Sequence, residues 1–467
     1  MSIIPSELGS VYYAGEWLVR IGALIVVPLR RKPAATTGWL LLIFFLPLPG
    51  LLLFLAIGRP TFPAWRIRRF HQLLPYFGRV ADRLRAVGAS SPGALGELAE
   101  TLGHLPPLGG NAIELIDDYD RVIDRLVEDV DSARHEVSLL VYIFADDTTG
   151  RKVISALGRA VTRGVICRVM LDPVGSHAWV RGTVARLRAA GVETHEALPF
   201  HLWRGRTRRD MRNHRKLFVI DGRIGYAGSQ NIVAKDFRPG VVNRELVARV
   251  TGPAVAAMVA VIRGDWFLET DLDPGEAPPV PDRAGDAVLQ LLPSGADYPL
   301  EGFETLLVWQ LHQAQVRAIL VTPYFIPDES VLGAMRTAAA RGVEVDVVIS
   351  AVVDQPLVNL AQCSYYDELL VAGIRIHRFR DFLLHAKNIS IDGTMAVVGS
   401  SNVDLRSFQL NEEVSLLLLD THSVAQVEAI QRGYLAGSDT LDLAAWRRRP
   451  RLRQVVENVA RLLSPLL

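Results

Sequence analysis

Two long apolar stretches open the chain. Residues 38–58 contain no charged side chain, and a helix of that length would cross roughly 30 Å, the thickness of the hydrocarbon core of a bilayer. Residues 11–29 are apolar apart from Glu16 and Arg20. The pattern predicts a membrane hairpin over residues 1–60, with two transmembrane helices joined by a basic loop. An interfacial helix is the alternative for the first stretch, and a signal peptide fits poorly because the first ten residues lack Lys and Arg.

The rest of the chain alternates short apolar runs with segments of helical periodicity. Residues 61–110 are basic and amphipathic and then rich in Gly, Pro and Ser, which indicates a connector. Continuous apolar runs follow at residues 137–144 and 165–172, each beside a helical pattern. Strands that are apolar on both faces and alternate with helices indicate an α/β fold in which helices cover both faces of the sheet.

The second half of the chain repeats this order. Arg163-Gly164-Val165, for example, corresponds to Arg341-Gly342-Val343. The spacing is too long for a solenoid and predicts two tandem domains, over residues 111–270 and 287–440. A segment rich in Pro and Asp, residues 271–286, is expected to link them.

The ends of the chain are basic, although the formal net charge is only +1. Residues 1–69 carry eight Lys and Arg against two Glu, and residues 446–467 carry six Arg against Glu457. Residues 441–467 are predicted to form a basic amphipathic helix that packs in a core or docks on a membrane surface. Basic ends around an acidic middle indicate contact with anionic lipid and argue against a nucleic-acid partner. The two cysteines imply no disulfide framework.

One pattern of polar residues occurs in both halves. A His is followed two residues later by a Lys and five residues after that by an Asp, and then come Gly-Ser-x-Asn and Asn-x-Glu. The first copy consists of His214, Lys216, Asp221, Ser229, Asn231 and Glu245. The second copy consists of His385, Lys387, Asp392, Ser400, Asn402 and Glu413.

Strand geometry places each His beside its Lys, because residues two apart on a strand point to the same face. The Asp-Gly that ends each apolar run predicts a hairpin turn, so the two motif Asp residues have a structural role besides any part in catalysis. A neutral imidazole is a nucleophile and proton carrier near neutral pH, and an ammonium group stabilises a phosphate in its transition state. Two such units that face each other would need no metal or other cofactor.

The paired motif resembles that of the phospholipase D superfamily, and the chain resembles the bacterial cardiolipin synthases within it. The resemblance also covers the apolar N-terminal stretches, the segment Asp404-Leu405-Arg406-Ser407-Phe408-Gln409-Leu410-Asn411 and the closing Ser464-Pro465-Leu466-Leu467. It implies two phospholipase D-like α-β-α sandwich domains that form a pseudo-dimer, in an enzyme of the bacterial inner membrane.

The resemblance also implies a reaction. A phosphatidyl group passes from one phosphatidylglycerol to a His, glycerol leaves, and a second phosphatidylglycerol takes up the group to give cardiolipin. We assign His214 as the nucleophile and His385 as the acid and base, although the near-equivalent halves leave this order open. The Lys and Asn residues of the motifs are expected to hold phosphate oxygens together with Ser229 and Ser400, and Glu245 and Glu413 to orient the imidazoles across the interface between the halves.

Three other activities remain open for the same scaffold. They are a hydrolytic phospholipase D, a phosphatidyl transferase that uses another alcohol, and a membrane-tethered nuclease. The expected partners are anionic phospholipids, phosphatidylglycerol and cardiolipin among them, and an oligomer is compatible with the sequence. Basic residues beside the apolar stretches slightly favour a cytoplasmic catalytic body.

A cluster of arginines directly precedes the first motif and has no counterpart in the second half. Because a guanidinium matches phosphate with two hydrogen bonds, we expect the cluster to be a clamp for anionic headgroups, with a solvated loop as the alternative. Its members are Arg204, Arg206, Arg208, Arg209 and Arg212.

Overall fold

The computed structural model describes residues 6–31, 33–58, 61–88, 93–199 and 210–462. Its helices are α1 Ser6–Val26, α2 Pro33–Phe45, α3 Pro47–Ile57, α4 Ala64–Gly88, α5 Gly93–Gly103, α6 Tyr119–Ser132, α7 Thr148–Thr162, α8 Val180–Ala189, α9 Ala254–Thr270, α10 Gly302–Gln313, α11 Glu329–Ala340, α12 Pro356–Cys363, α13 Tyr366–Val371, α14 Leu405–Gln409, α15 Thr421–Ala436, α16 Leu443–Arg447 and α17 Arg451–Leu462. A 3-10 turn, Pro299–Glu301, precedes α10.

The strands are β1 Leu108–Ile116, β2 Glu136–Val141, β3 Ile166–Leu171, β4 Glu193–Glu196, β5 Leu217–Ile220, β6 Ile224–Gly228, β7 Asn243–Arg244, β8 Val247–Thr251, β9 Ala287–Ser294, β10 Arg317–Val321, β11 Phe325–Ile326, β12 Glu344–Ser350, β13 Arg375–Phe379, β14 Leu383–Leu384, β15 Asn388–Ile391, β16 Met395–Gly399, β17 Val403–Asp404, β18 Glu413–Leu418 and β19 Ser438–Thr440.

Fifteen strands form one sheet that runs through both halves of the molecule. Their order is β19-β13-β12-β10-β15-β16-β18-β9-β1-β8-β6-β5-β2-β3-β4. On either side of the antiparallel β1–β9 contact the neighbours follow the same sequence, so that β8, β6, β5, β2 and β3 correspond to β18, β16, β15, β10 and β12. The two halves are therefore structural repeats related by an approximate twofold axis, which confirms the predicted α/β duplication.

Both faces of the sheet are covered, as the continuous apolar strands predicted. In β5, Leu217 and Val219 belong to a core that the two halves share under α4, α9 and α15. Phe218 and Ile220 of the same strand point to the other face, where α6 and α7 cover them. Successive side chains of one strand thus pack into two cores, one on each face of the sheet. This packing holds the ends of the central strands in place.

Residues 61–88 and 93–110, which the sequence presented as part of a connector, belong to the folded body. The apolar face of α4, including Phe70, Leu73 and Phe77, is buried in the shared core. Residues 93–103 form α5, and β1 begins at Leu108. Residues 271–286, all of them described, contain no helix or strand.

The N-terminal apolar region forms three helices instead of the two that were expected. The second stretch breaks after Phe45, and Pro47 starts α3, since a proline ring cannot continue the preceding helix. α2 and α3 cross closely, because a Cβ on Gly50 would lie 2.9 Å from the Cα of Ile43. Among the helices of the described ranges, none combines the length and the apolar character that a membrane crossing requires.

The C-terminal helix α17 turns its apolar stripe outward. Leu452 and Leu462 expose 75% and 64% of their surface. The opposite side packs on α12 and buries Glu457, whose carboxylate accepts hydrogen bonds from Arg449 and Arg453 at 2.9 and 3.1 Å. The apolar stripe of this helix is therefore not part of the core.

Candidate active site

Each motif begins just before a β-hairpin and continues along its first strand, β5–β6 in the first half and β15–β16 in the second. The turns place Asp221 and Asp392 at φ of +52° and +53°, each followed by a glycine with positive φ. Two successive left-handed residues form the hairpin turn that matches strand twist, for which Asp-Gly is a preferred pair.

The two motif carboxylates fasten the hairpins to the sheet. Asp221 accepts the N–H groups of residues 134–136, at 2.7–2.9 Å. Asp392 accepts those of residues 315–317 in the same way, at 2.7–2.8 Å. Neither lines the cavity that contains the histidines. The structure therefore corrects their place among the catalytic residues and favours the structural role.

The segment before each hairpin crosses to the other half of the molecule. The N–H of His214 donates to the carbonyl of Glu412, and the N–H of His385 donates to the carbonyl of Arg244, both at 2.8 Å. Each His therefore lies next to the segment that contains the Glu of the opposite motif.

Each imidazole is held by a carboxylate from the opposite half. His214 Nδ1 lies 3.0 Å from Glu413 Oε1, and His385 Nδ1 lies 2.7 Å from Glu245 Oε1. Because a carboxylate accepts the hydrogen bond, Nδ1 of each ring carries the proton and Nε2 keeps a free electron pair. The Ser400 hydroxyl donates to Oε2 of the same Glu413 carboxylate.

Burial keeps both imidazoles neutral at physiological pH. It lowers the pKa of His214 and of His385 to about 4, against the opposing effect of the Glu partners. Burial alone would raise the pKa of Glu413. His214 and Lys216 outweigh this effect and hold the pKa of the carboxyl below its usual value. The pairs are therefore neutral imidazole with carboxylate, the form in which Nε2 is nucleophilic.

The two motif lysines lie directly beside the histidines. Lys216 Nζ donates to the carbonyl of His214 at 2.7 Å, and Lys387 Nζ donates to that of His385 at 2.6 Å. Lys387 Nζ also lies 3.0 Å from His385 Nε2. Burial lowers the pKa of Lys216 to about 7 and that of Lys387 to about 8.

A cavity of about 250 Å³ between the halves contains both histidines. Asn231 and Asn402 line it as well. The amide oxygen of Asn231 accepts the N–H of Ile143 at 3.0 Å. Ser229 instead exchanges hydrogen bonds with the backbone of Leu246. The structure thus brings both imidazoles and both amides to one cavity, with the lysines, the Glu carboxylates and the serines behind them.

Comparison with known proteins gives the same pairing of domains. The family model described as cardiolipin synthase, PLD-like domain, matches residues 126–266 and 307–432, and that of the phospholipase D-nuclease N-terminal segment matches residues 18–59. The chain is 33% identical to cardiolipin synthase A of Salmonella arizonae and to that of Salmonella paratyphi B, over 97% of each chain. The chain belongs to the bacterial cardiolipin synthase family of the phospholipase D superfamily.

Among solved structures, the phosphatidylserine synthase of Haemophilus influenzae Rd KW20 is similar to this chain, with a TM-score of 0.60 at 16% identity. The match covers 80% of this chain and 100% of that one. A polyphosphate kinase of Porphyromonas gingivalis reaches a TM-score of 0.51, also at 16% identity, over 76% of this chain and 53% of that one. Both similarities concern the fold.

The predicted arginine clamp is described only at its end. Arg204, Arg206, Arg208 and Arg209 lie outside the described residues. Arg212 is buried, with its guanidinium 2.8 Å from the Asp172 carboxylate and 2.7 Å from the carbonyl of Leu198. This position differs from the surface clamp that the sequence suggested, because the cation already neutralises a buried carboxylate.

Several residues of this cardiolipin synthase-like site were not found by sequence reasoning. The rings of Tyr142 and Tyr324 lie 4.7 and 6.2 Å from those of His214 and His385. The sequence does show a tyrosine shortly after a buried strand in each half. This repeated pattern could have indicated both residues. Arg215, between His and Lys of the first motif, is fully buried and corresponds to Ala386 in the second, a difference that also stands in the sequence.

Proposed function

We propose that this protein is a cardiolipin synthase that transfers a phosphatidyl group from one phosphatidylglycerol to another. The observation that supports this most is the pair of neutral imidazoles in one cavity, each held at Nδ1 by a Glu of the opposite half. The names of the full-length relatives supply the substrate class.

In the first step Nε2 of His214 attacks the phosphorus of the donor lipid. His385 enters this step as an imidazolium, which the anionic phosphodiester and Glu245 favour once the donor lipid is bound. The bond from phosphorus to the glycerol oxygen breaks, and Nε2 of His385 gives that oxygen its proton. Glycerol leaves and a phosphatidyl-histidine remains. Lys216 and Lys387 stabilise the charge that spreads over the phosphate oxygens in the transition state, and the amides of Asn231 and Asn402 hold those oxygens.

In the second step a hydroxyl of the acceptor phosphatidylglycerol attacks the same phosphorus. His385 now takes the hydroxyl proton, the new P–O bond forms, and the electrons of the broken P–N bond return to Nε2 of His214. Cardiolipin leaves, His214 is again a neutral imidazole, and His385 again holds the proton that the next first step needs. Glu413 and Glu245 hold each ring in one tautomer and stabilise the imidazolium that forms during each transfer.

A difference between the two half-sites supports this order of roles. Lys387 Nζ donates towards Nε2 of His385, which suits a ring that must receive and deliver a proton. In the described part of the chain, the only side-chain hydrogen bond of the His214 ring is the one at Nδ1 with Glu413, so Nε2 is free to attack.

The same proposal includes contact with a membrane. Apolar side chains of α1–α3 and of the turn after α1 are exposed, Phe45 of α2 and Leu29 of the turn each by 80%, and the apolar stripe of α17 is exposed as well. The end of α17 meets the start of α2, where a Cβ on Gly38 would lie 3.9 Å from the carbonyl of Leu462. Burial of these side chains in lipid would remove their contact with water. The proposal also places the protein in a bacterial inner membrane with its catalytic body in the cytoplasm, as expected from the sequence.

The deciding experiment is lipid analysis of a strain that lacks other cardiolipin synthases and expresses this chain. We expect cardiolipin in that strain, and cardiolipin with free glycerol when the purified protein is given phosphatidylglycerol in detergent micelles. Phosphatidate without cardiolipin would indicate a hydrolase. Activity on DNA without activity on lipid would contradict the proposal outright.

A further inference from the structure

The cavity between the halves contains two arginines, and among the described residues only one of them is paired with a carboxylate. Arg238 forms an ion pair with Asp354, and the same carboxylate accepts the hydroxyl of Tyr324 at 2.7 Å. Arg406 donates to the carbonyl of Asp210 at 2.9 Å and, within the described part of the chain, forms no ion pair. Asp404 lines the same cavity, but its carboxylate caps α14 through the N–H of Ser407 at 2.7 Å.

Arg406 lies on the His214 side of the cavity. The carbonyl that its guanidinium contacts belongs to Asp210, on the segment that leads to His214, and Arg406, Tyr142 and His214 line the same cavity. The Tyr142 ring in turn lies 4.7 Å from the His214 ring. A cation is therefore present close to the proposed nucleophile, in addition to the two motif lysines.

The repeat of the fold shows that this cation is not needed to build the domain. Counting from the motif Asn residues, Arg406 corresponds to Lys235 and Asp404 to Val233. Lys235 is directed away from the cavity and pairs at the surface with Asp120, with side chains 46% and 64% exposed. Val233 is buried. The polar pair at Asp404 and Arg406 thus belongs to one half alone.

The proposed reaction needs such a cation. When the phosphatidyl-histidine is resolved, the acceptor lipid brings a second phosphodiester anion into a cavity that already holds the first. The two motif lysines are hydrogen-bonded beside the histidines and serve the reacting phosphorus. An anion that leaves water without a partner is costly, and a guanidinium is the side chain best matched to phosphate.

We propose that Arg406 binds the phosphodiester of the acceptor lipid while the glycerol hydroxyl of that lipid attacks the phosphatidyl-histidine. The three-carbon glycerol joins the attacking oxygen to the phosphate that Arg406 holds. The inference rests on the proposed function and adds to it a subsite for the second phospholipid. Burial also raises the pKa of Asp404, so that this carboxyl can take up a proton more readily when a phosphate enters.

The test compares two acceptors that share one covalent intermediate. Cardiolipin formation from phosphatidylglycerol needs an acceptor with a phosphate, whereas exchange of radiolabelled free glycerol into phosphatidylglycerol does not. For Arg406→Gln we expect cardiolipin formation to fall on the order of 10- to 100-fold, the usual effect of a lost charge-assisted hydrogen bond. Glycerol exchange should stay within about twofold, and Arg406→Lys should recover part of the loss.

Lys235→Gln is the matched control, because it removes the corresponding cation of the other half, and both reactions should be unchanged. Equal loss of exchange and cardiolipin formation in Arg406→Gln would show that Arg406 acts on the donor or on folding and would overturn the inference. Unchanged rates in both assays would overturn it as well. A wild-type protein that exchanges glycerol but forms no cardiolipin would refute the proposed function instead.

Discussion

Arg215 provides the most specific test of how the first motif is held in place. This guanidinium is fully buried and contacts groups from three separate segments. It forms ion pairs with Asp265 of α9 and with Glu412, the latter at 2.8 Å, and its Nε donates to the carbonyl of Glu413 at 2.9 Å. Arg215 therefore fixes the backbone of the very residue that orients His214.

We predict that Arg215→Met destabilises the protein by about 3–5 kcal/mol, the usual cost of removing one partner from a buried ion pair. Met fills much of the space but leaves two carboxylates without their cation. Asp265 retains the amide of Asn213 at 2.9 Å, and Glu412 retains the N–H of Asp297 at 3.0 Å. These remaining bonds carry no positive charge, so each carboxylate either stays unpaired or takes up a proton, and both outcomes cost stability at neutral pH.

The measurement is denaturant unfolding of purified protein in detergent at pH 7.5, followed by tryptophan fluorescence. Trp266, next to Asp265 on α9, reports on the affected core. Arg159→Met is the matched control, because its pair with Asp131 is at the surface, with side chains 52% and 37% exposed. That variant should lose no more than about 1 kcal/mol.

A second substitution separates charge from packing. Burial and the neighbouring Asp297 raise the pKa of Glu412, so the folded protein holds this proton more tightly than the unfolded chain does. The stability from this proton is present at low pH and is lost as pH rises above the ordinary carboxyl range. Adding Glu412→Gln to Arg215→Met should therefore restore more than half of the loss. Equal stability of the Arg215 and Arg159 variants, or no recovery in the double variant, would refute the reasoning.

The remaining predictions concern the chemistry. His214→Ala and His385→Ala should each abolish cardiolipin formation while the proteins remain folded and membrane-bound, since each ring has its own step; near-wild-type lipid yield from either would exclude the two-histidine mechanism. Glu413→Gln should lower kcat by on the order of 10²- to 10⁴-fold with little change in KM, because the amide no longer fixes the tautomer; steady-state kinetics in micelles measures this, and an unchanged kcat would contradict it. With pKa values lowered by burial to about 7 for Lys216 and about 8 for Lys387, kcat/KM should decline as pH rises through this range and the ammonium groups lose their charge; a flat profile from pH 7 to 9 would be incompatible with their role.

The sequence by itself determined the repeated α/β architecture and the residues of the two motifs. The two-residue spacing of each His and its Lys is a local property, so their proximity could be predicted directly, although both residues lie just before the strand and not in it. The Asp-Gly turns were equally local, because few residue pairs adopt two successive left-handed conformations. The matched family segments confirm the duplication that the repeated order predicted.

Only the tertiary structure decided which groups surround these motifs. The resemblance to the family implied that Glu413 orients an imidazole across the interface, but Glu413 lies 199 residues from His214 in the chain, and only the structure shows its carboxylate 3.0 Å from that ring. The same holds for Arg215, whose partners come from α9 and from the segment before β18. It also holds for Arg406, because only the structure shows that Arg238 pairs with a carboxylate whereas Arg406 contacts a backbone carbonyl. Amphipathic spacing predicted α17 but not the direction of its apolar stripe, because periodicity defines a face and only packing decides what that face contacts. Likewise the apolar composition of residues 38–58 predicted one helix, whereas in the structure α2 ends at Phe45 and α3 begins at Pro47. Proline has no N–H to continue the hydrogen bonds of the preceding helix.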